Sequence, residues 1–437
     1  MTVHYPELAE QVAKQSALRP DIYARIDFDE TPFRFTTDPE VKSGLPDWVT
    51  AREPYLSNER LVELMRTSTM LGDVVADSYA ALLPDLGMRH LVGMLQQACR
   101  EGIDSVDDAP EELRALIADM EATPEWVDRE LVDLGAKHAR ISAAYLSPVI
   151  IRGAFIATFL NSYSALPMTI TGALSGKRAA YRVNDTTSFF SVTTLPGALD
   201  RFGIGFQAAA MVRLMHSIVR YNALVRSDKW DTSIYGMPLP QVDQMPAGLI
   251  NMYILSVLAL RRGREEFNER ERAMLEFTHY RNFLLGVPKE LLPETPRGIV
   301  DVFYARAACL RDDFDDKCRE LVDSTMDAYL RSGDSVGDRA IDRVEKAWSK
   351  VFVAGINGGV RPAKERMGVR ISPLDVALVG STAPFVLGRF IGAVRLSKYA
   401  AIHDRMDGHI TKVVEKHLAT HGHPEFTTDP ESYPQHG

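Results

Sequence analysis

The sequence predicts an all-α protein, and three observations carry that prediction. Apolar residues recur at helical spacing in nearly every segment from Asn58 onward, strand-type alternation is scarce, and no linker interrupts residues 58–419. With 437 residues, 46% hydrophobic and 25% charged, the chain is long enough and apolar enough for a sizeable core. The expected organisation is an irregular N-terminal arm at 1–57, one large helical domain at 58–419, and a flexible tail at 420–437.

The arm is rich in proline and acids (RPDIYARIDFDETPFRF) and lacks sustained periodicity. After it, Leu61, Leu64, Met65 and the small Ser68 share one helix face. The same spacing recurs in Leu91, Met94, Leu95 and Ala98, and again in Leu113, Leu116, Ile117 and Met120. Thr123 followed by Pro124 reads as the N-cap and first position of a further helix containing Glu125, Trp126 and Val127. Between Gly135 and Leu260 the chain is dominated by Ala, Leu, Ile, Met and small residues, so these helices should be the most buried.

A formal charge of -9 leaves no overall positive field for a phosphate backbone, so nucleic acid is excluded as an expected partner. Cys99, Cys309 and Cys318 form no Cys-x-x-Cys pair and no disulfide framework, which fits a reducing compartment. The N-terminus puts acids where a signal peptide carries a basic cluster, and the longest apolar stretch, Met245–Leu260, is shorter than the roughly 20 residues of a spanning helix. A cytoplasmic protein without a membrane span is expected.

Walker, Gly-x-Ser-x-Gly and His-Glu-x-x-His signatures are absent. His216 stands in an apolar helix, QAAAMVRLMHSIVRYNAL, with Val212 and Val219 beside one side of the ring and Arg213 and Arg220 beside the other. A b-type haem needs that set: a neutral imidazole for iron, apolar contact for the porphyrin and cations for the propionates. The same spacing also suits a core histidine with two surface arginines. Upstream, Arg182, Thr186 and Phe189 share a face, giving a charged donor and a hydroxyl among aromatics, or else a solvent-facing arginine near a helix start. Glu276 and His279 form a single Glu-x-x-His, whereas a di-iron bundle needs two.

Four blocks resemble the latex-clearing protein/rubber oxygenase family, which includes the mpaB-type fungal oxygenases. They are PEWVDREL from Pro124, the stretch Arg182–Phe189, VRLMH ending at His216 with Trp230, Gly236, Pro238 and Asp243 after it, and YRNFLLGVPKELL from Tyr280. The resemblance implies an all-helical protein with one haem b, His216 as proximal iron ligand, and Arg182 and Thr186 as distal groups. Asp185 stands where the polymer-cleaving enzymes carry a lysine, and Tyr163–Leu174 holds no acid to match their distal carboxylate. The implied activity is that of a haem oxygenase taking O2 and a small hydrophobic substrate, with a C=C bond as target, rather than that of a polyisoprene-cleaving enzyme. A non-catalytic haem sensor or carrier, or a peroxidase-like enzyme, remains open on the same ligand set.

Overall fold

The computed structural model describes residues 3–170 and 177–421, and among them every regular element is helical; the only strand-type pairings are the isolated bridges Phe35–Leu310 and Ser43–Arg311. By internal contacts the chain divides into two compact units. The first takes residues 3–128 together with Ala209–Asp313, and the second takes Arg129–Ala208 together with residues 314–421. Each unit is assembled from separated stretches, so no composition-biased linker marks the division.

The first unit opens with α1 (Pro6–Leu18), α2 (Glu59–Thr69), α3 (Val74–Ala80), α4 (Met88–Glu101) and α5 (Glu111–Glu121). The faces read from periodicity are the buried ones: Leu64, Met65 and Ser68 in α2, Leu91, Met94, Leu95 and Ala98 in α4, and Leu113, Leu116, Ile117 and Met120 in α5. Asn58 starts α2 by accepting from the Leu61 amide at 3.2 Å. The arm differs from expectation at its beginning. Pro at the first position opens the 13-residue α1, whose Leu8 and Val12 are buried; the stretch between Tyr23 and Glu53 carries no helix.

The second unit begins with α6 (Arg129–Tyr145), α7 (Ser147–Ile156), α8 (Ser162–Ile170) and α9 (Lys177–Val192). Helix α10 (Ile204–Tyr221) then runs from the second unit into the first, where α11 (Gln241–Arg261), α12 (Glu269–Leu284) and α13 (Pro296–Cys309) come next. The second unit closes with α14 (Asp316–Asp327), α15 (Val336–Ile356), α16 (Val360–Met367), α17 (Pro373–Leu396) and α18 (Ala400–His421). Its core joins Phe155, Phe159, Val183, Val322 and Val353. Helices α7 and α15 approach so closely that a Cβ on Gly153 would lie 2.7 Å from the Ser349 carbonyl oxygen. Beside them the buried Arg152 is neutralised by Asp342 and Glu345 and donates to the Ala328 carbonyl.

Two expectations are corrected. No helix opens at Pro124; the segment forms a turn, and α6 starts only at Arg129. Tertiary contacts outweigh the local signal, since the Trp126 ring meets His279 edge-on at 6.1 Å and the Asp128 amide donates to Glu276 at 2.9 Å. Second, α11 and α17 are each long and apolar enough to cross a membrane, with 21 and 24 residues, because the helical runs extend past the interruptions seen in the linear sequence. The expected tail from 420 onward lies, apart from Thr420 and His421, outside the described residues.

Candidate functional site

Between Ala208 and Tyr221 every residue of α10 is buried except Val212, His216 and Val219, which are half-buried. These three lie at i-4, i and i+3, so the imidazole sits in an apolar stripe along the only partly open face of that stretch. His216 Nδ1 lies 2.9 Å from Gln244 Oε1, on α11. The other end of that amide, Nε2, donates to the Leu239 carbonyl at 3.4 Å. A carbonyl only accepts, which fixes the amide with its oxygen toward the ring, so Nδ1 must carry the proton. When the ring is neutral its lone pair is therefore on Nε2, the form a metal requires.

Leu239 has φ +46°, and its carbonyl also accepts from Arg220 Nη1 at 3.0 Å. Arg220 Nε donates to Asp77 at 2.8 Å, and the Tyr23 hydroxyl donates to the same carboxylate. One turn to the other side of His216, Arg213 holds Asp73 bidentately at 2.6 and 2.9 Å and reaches Asp119 at 2.6 Å. Burial pushes the Asp73 carboxyl up, but the Arg213 guanidinium outweighs it and holds the group below its usual range. Burial likewise disfavours the Arg213 cation, and Asp73 and Asp119 more than compensate. The two arginines assigned by spacing to haem propionates are thus committed to carboxylates of this chain, and they tie α10 to α3 and α5.

The blocks after His216 serve the same scaffold. A Cβ on Gly286, at φ +78°, would lie 2.7 Å from Asp73 Oδ2 and 2.9 Å from Arg213 Nε, so only glycine closes over that pair. Asp243, beside Gln244, accepts from Arg34 at 2.7 Å and Arg306 at 2.6 Å; these cations overcome the upward push of burial and keep it ionised. Trp230 Nε1 donates to the Gly236 carbonyl at 2.9 Å.

The second unit carries Arg182, Asp185 and Thr186 on α9, all half-buried. Arg182 Nε is enclosed and has no hydrogen-bond partner among the described residues, an unusual state for a guanidinium. Thr186 Oγ1 donates to the Arg182 carbonyl at 3.0 Å, so the two residues occupy successive turns of one face, as the spacing predicts. Phe189 is buried and meets Phe190 edge-on at 5.2 Å. Of the apolar run Ile150–Leu174, residues 171–174 lie outside the described residues.

Glu276 and His279 are occupied structurally by Asp128 and Trp126, and no group of three or more metal-ligating side chains occurs among the described residues. Burial depresses His279 to about 4, so it is neutral near pH 7. Sequence reasoning missed Gln244, Asp73 and Asp77. The i, i+4 spacing of the two aspartates was visible, but their partners lie 140 and 143 residues away and no local pattern joins them.

The comparisons with known proteins agree with this architecture. The family described as "ER-bound oxygenase mpaB/B'/Rubber oxygenase, catalytic domain" matches residues 142–391. Among solved structures, latex clearing protein LCP in the closed state is similar in fold, with a TM-score of 0.58 at 18% identity, covering 80% of this chain and 91% of that one. No curated protein sequence matches the chain. A match across more than half of the sequence, on a fold without strands among the described residues, places this chain in the family of mpaB-type and rubber oxygenases.

Proposed function

We propose that the protein is a haem b-dependent oxygenase that oxidises a small hydrophobic molecule at an electron-rich C=C bond. The observation that carries this reading is the half-open Val212–His216–Val219 stripe, with the imidazole proton held on Nδ1 by Gln244. His216 Nε2 would hold the iron, and the two valines would lie against the porphyrin. When bound, haem b supplies the centre at which O2 is activated. No Cys-x-x-Cys-His motif is present to attach it covalently.

Gln244 accepts the Nδ1 proton without being able to take it, so the ring stays a neutral ligand. Asp73, Asp119 and Asp77, through Arg213 and Arg220, fix the helix on which the ring stands. Arg182 would offer its unpartnered Nε–H to negative charge developing on oxygen, and Thr186 would turn its hydroxyl away from the Arg182 carbonyl to do the same. Asp185, on the same helix, would hold or pass a proton where the polymer-cleaving relatives are expected to have a cation. Arg140 and Arg152 serve no such role, being tied to Asp407 and Asp342.

Three buried free cysteines suit action in a reducing compartment, and the reversed charge at Asp185 supports a substrate other than polyisoprene latex. Isotope-labelled O2 tests the reaction. Label in a small-molecule product supports the oxygenase; label found only in water or peroxide, or turnover indifferent to oxygen, favours a peroxidase-like or non-catalytic role.

A further inference from the structure

Helix α17 is apolar and largely exposed. Only 6% of its most apolar stretch is buried, and Val376, Pro384, Phe385, Leu387, Ile391 and Leu396 face outward. No charged residue occurs from Val376 to Gly388. A contiguous patch of this kind on a soluble surface marks something that covers it.

The chemistry around the patch selects the cover. In a chain of net charge -9, the stretch from Val376 to His403 contains no Asp or Glu but carries Arg389, Arg395 and Lys398, all towards one end, with the exposed Tyr399 beside them. An isologous contact with a second copy would have to pair these cations from the same patch, which has no carboxylate to offer. An anionic lipid surface pairs them and covers the apolar face together. The polar side chains inside the apolar stretch do not oppose this, because Ser381 and Thr382 both donate to the Leu378 carbonyl, at 3.1 and 2.6 Å.

The depth is set by the opposite face of the helix. Asp375 at its start is held by Lys350 and Arg343 of α15 at 3.1 and 3.2 Å, and Trp348 Nε1 donates to Thr382 at 2.9 Å. A helix clamped to its neighbour along one side cannot be surrounded by lipid, which favours the hydrated interface over the hydrocarbon core. By contrast α11, which also passes the length test, spends Asp243 and Gln244 on the buried network and packs against α13. We propose that α17 docks the protein on an anionic membrane, lying in the interface with its Val376–Leu387–Ile391 face in the lipid and Arg395 and Lys398 at the headgroups.

The test is sedimentation of the purified full chain with phosphatidylglycerol-containing and pure phosphatidylcholine vesicles, without detergent. The wild type should pellet with the anionic vesicles and be released by salt. Leu387→Glu/Ile391→Glu, at exposed positions, should keep its circular dichroism and lose binding at least about ten-fold, because carboxylates enter the apolar face. Arg395→Glu/Lys398→Glu should lose the preference for anionic lipid. The proposal is overturned if the wild type stays in the supernatant, whether as a monomer or as a dimer that Leu387→Glu/Ile391→Glu splits, or if that variant pellets like the wild type. None of these readouts depends on haem.

Discussion

Gln244 decides what His216 can be. Its carbonyl fixes the imidazole tautomer, and the Leu239 carbonyl fixes Gln244 in turn, so one misplaced proton would remove the lone pair a metal needs. In Gln244→Glu a carboxylate faces Nδ1–H, which pushes electron density onto the ring; the haem midpoint potential should fall and the spectrum shift, with haem retained. Potentiometric titration checks this, and an unchanged potential would remove Gln244 from the site. Arg182→Ala should keep stoichiometric haem and lose on the order of 10²-fold in turnover, as measured by oxygen uptake, because one fixed donor to developing charge is removed. None of this second layer was legible in the sequence. His216, Arg182 and Thr186 announce themselves by spacing on their own helices, whereas Gln244 and Leu239 matter only through contacts made after folding.

At the scale of elements, the buried arginine–aspartate pairs bind α10 to α3 and α5. Asp73→Asn leaves Arg213 buried with an incompletely paired charge, so it should destabilise the protein by about 3–5 kcal/mol in urea unfolding, as breaking a buried pair does. Gly286→Ala should also destabilise, since its Cβ meets that pair. Asp73 and Asp243 have depressed folded pKa values, so the stability they contribute is present above the unfolded carboxylate value of about 4 and is lost as pH falls through the folded values. His279 acts at higher pH. Its folded value of about 4 lies below the unfolded 6.5, so in that window the unfolded chain binds a proton that the folded chain refuses. Tm should therefore decline from pH 6.5 toward 4, and His279→Gln should flatten that part of the profile. Helix faces such as Leu113, Leu116, Ile117 and Met120 were readable because periodicity is local; the turn at Pro124–Asp128 was not, because Trp126 and the Asp128 amide answer to α12.

For the molecule as a whole, the sequence alone carried the helical class and the family, since pervasive 3.6-residue periodicity and the ordered blocks from Arg182 to the Leu-Gly-Val-Pro turn survive in one dimension. The interleaving of two compact units did not, since each is closed by stretches far apart in the chain. The exposure of α17 was hidden for a similar reason: Asp375 and Arg389 look like interruptions in sequence, while in the fold one is buried against α15 and the other lies over the Tyr145 ring at 4.8 Å. The central claim, that α10 presents His216 to a haem, is tested most directly by the haem stoichiometry and visible spectrum of wild type and His216→Ala purified side by side. The account predicts a Soret band near one haem per chain in the wild type and its loss in the variant, with helical circular dichroism unchanged; a variant retaining full haem and the same spectrum, or a wild type that takes up none when haem is supplied, would contradict it.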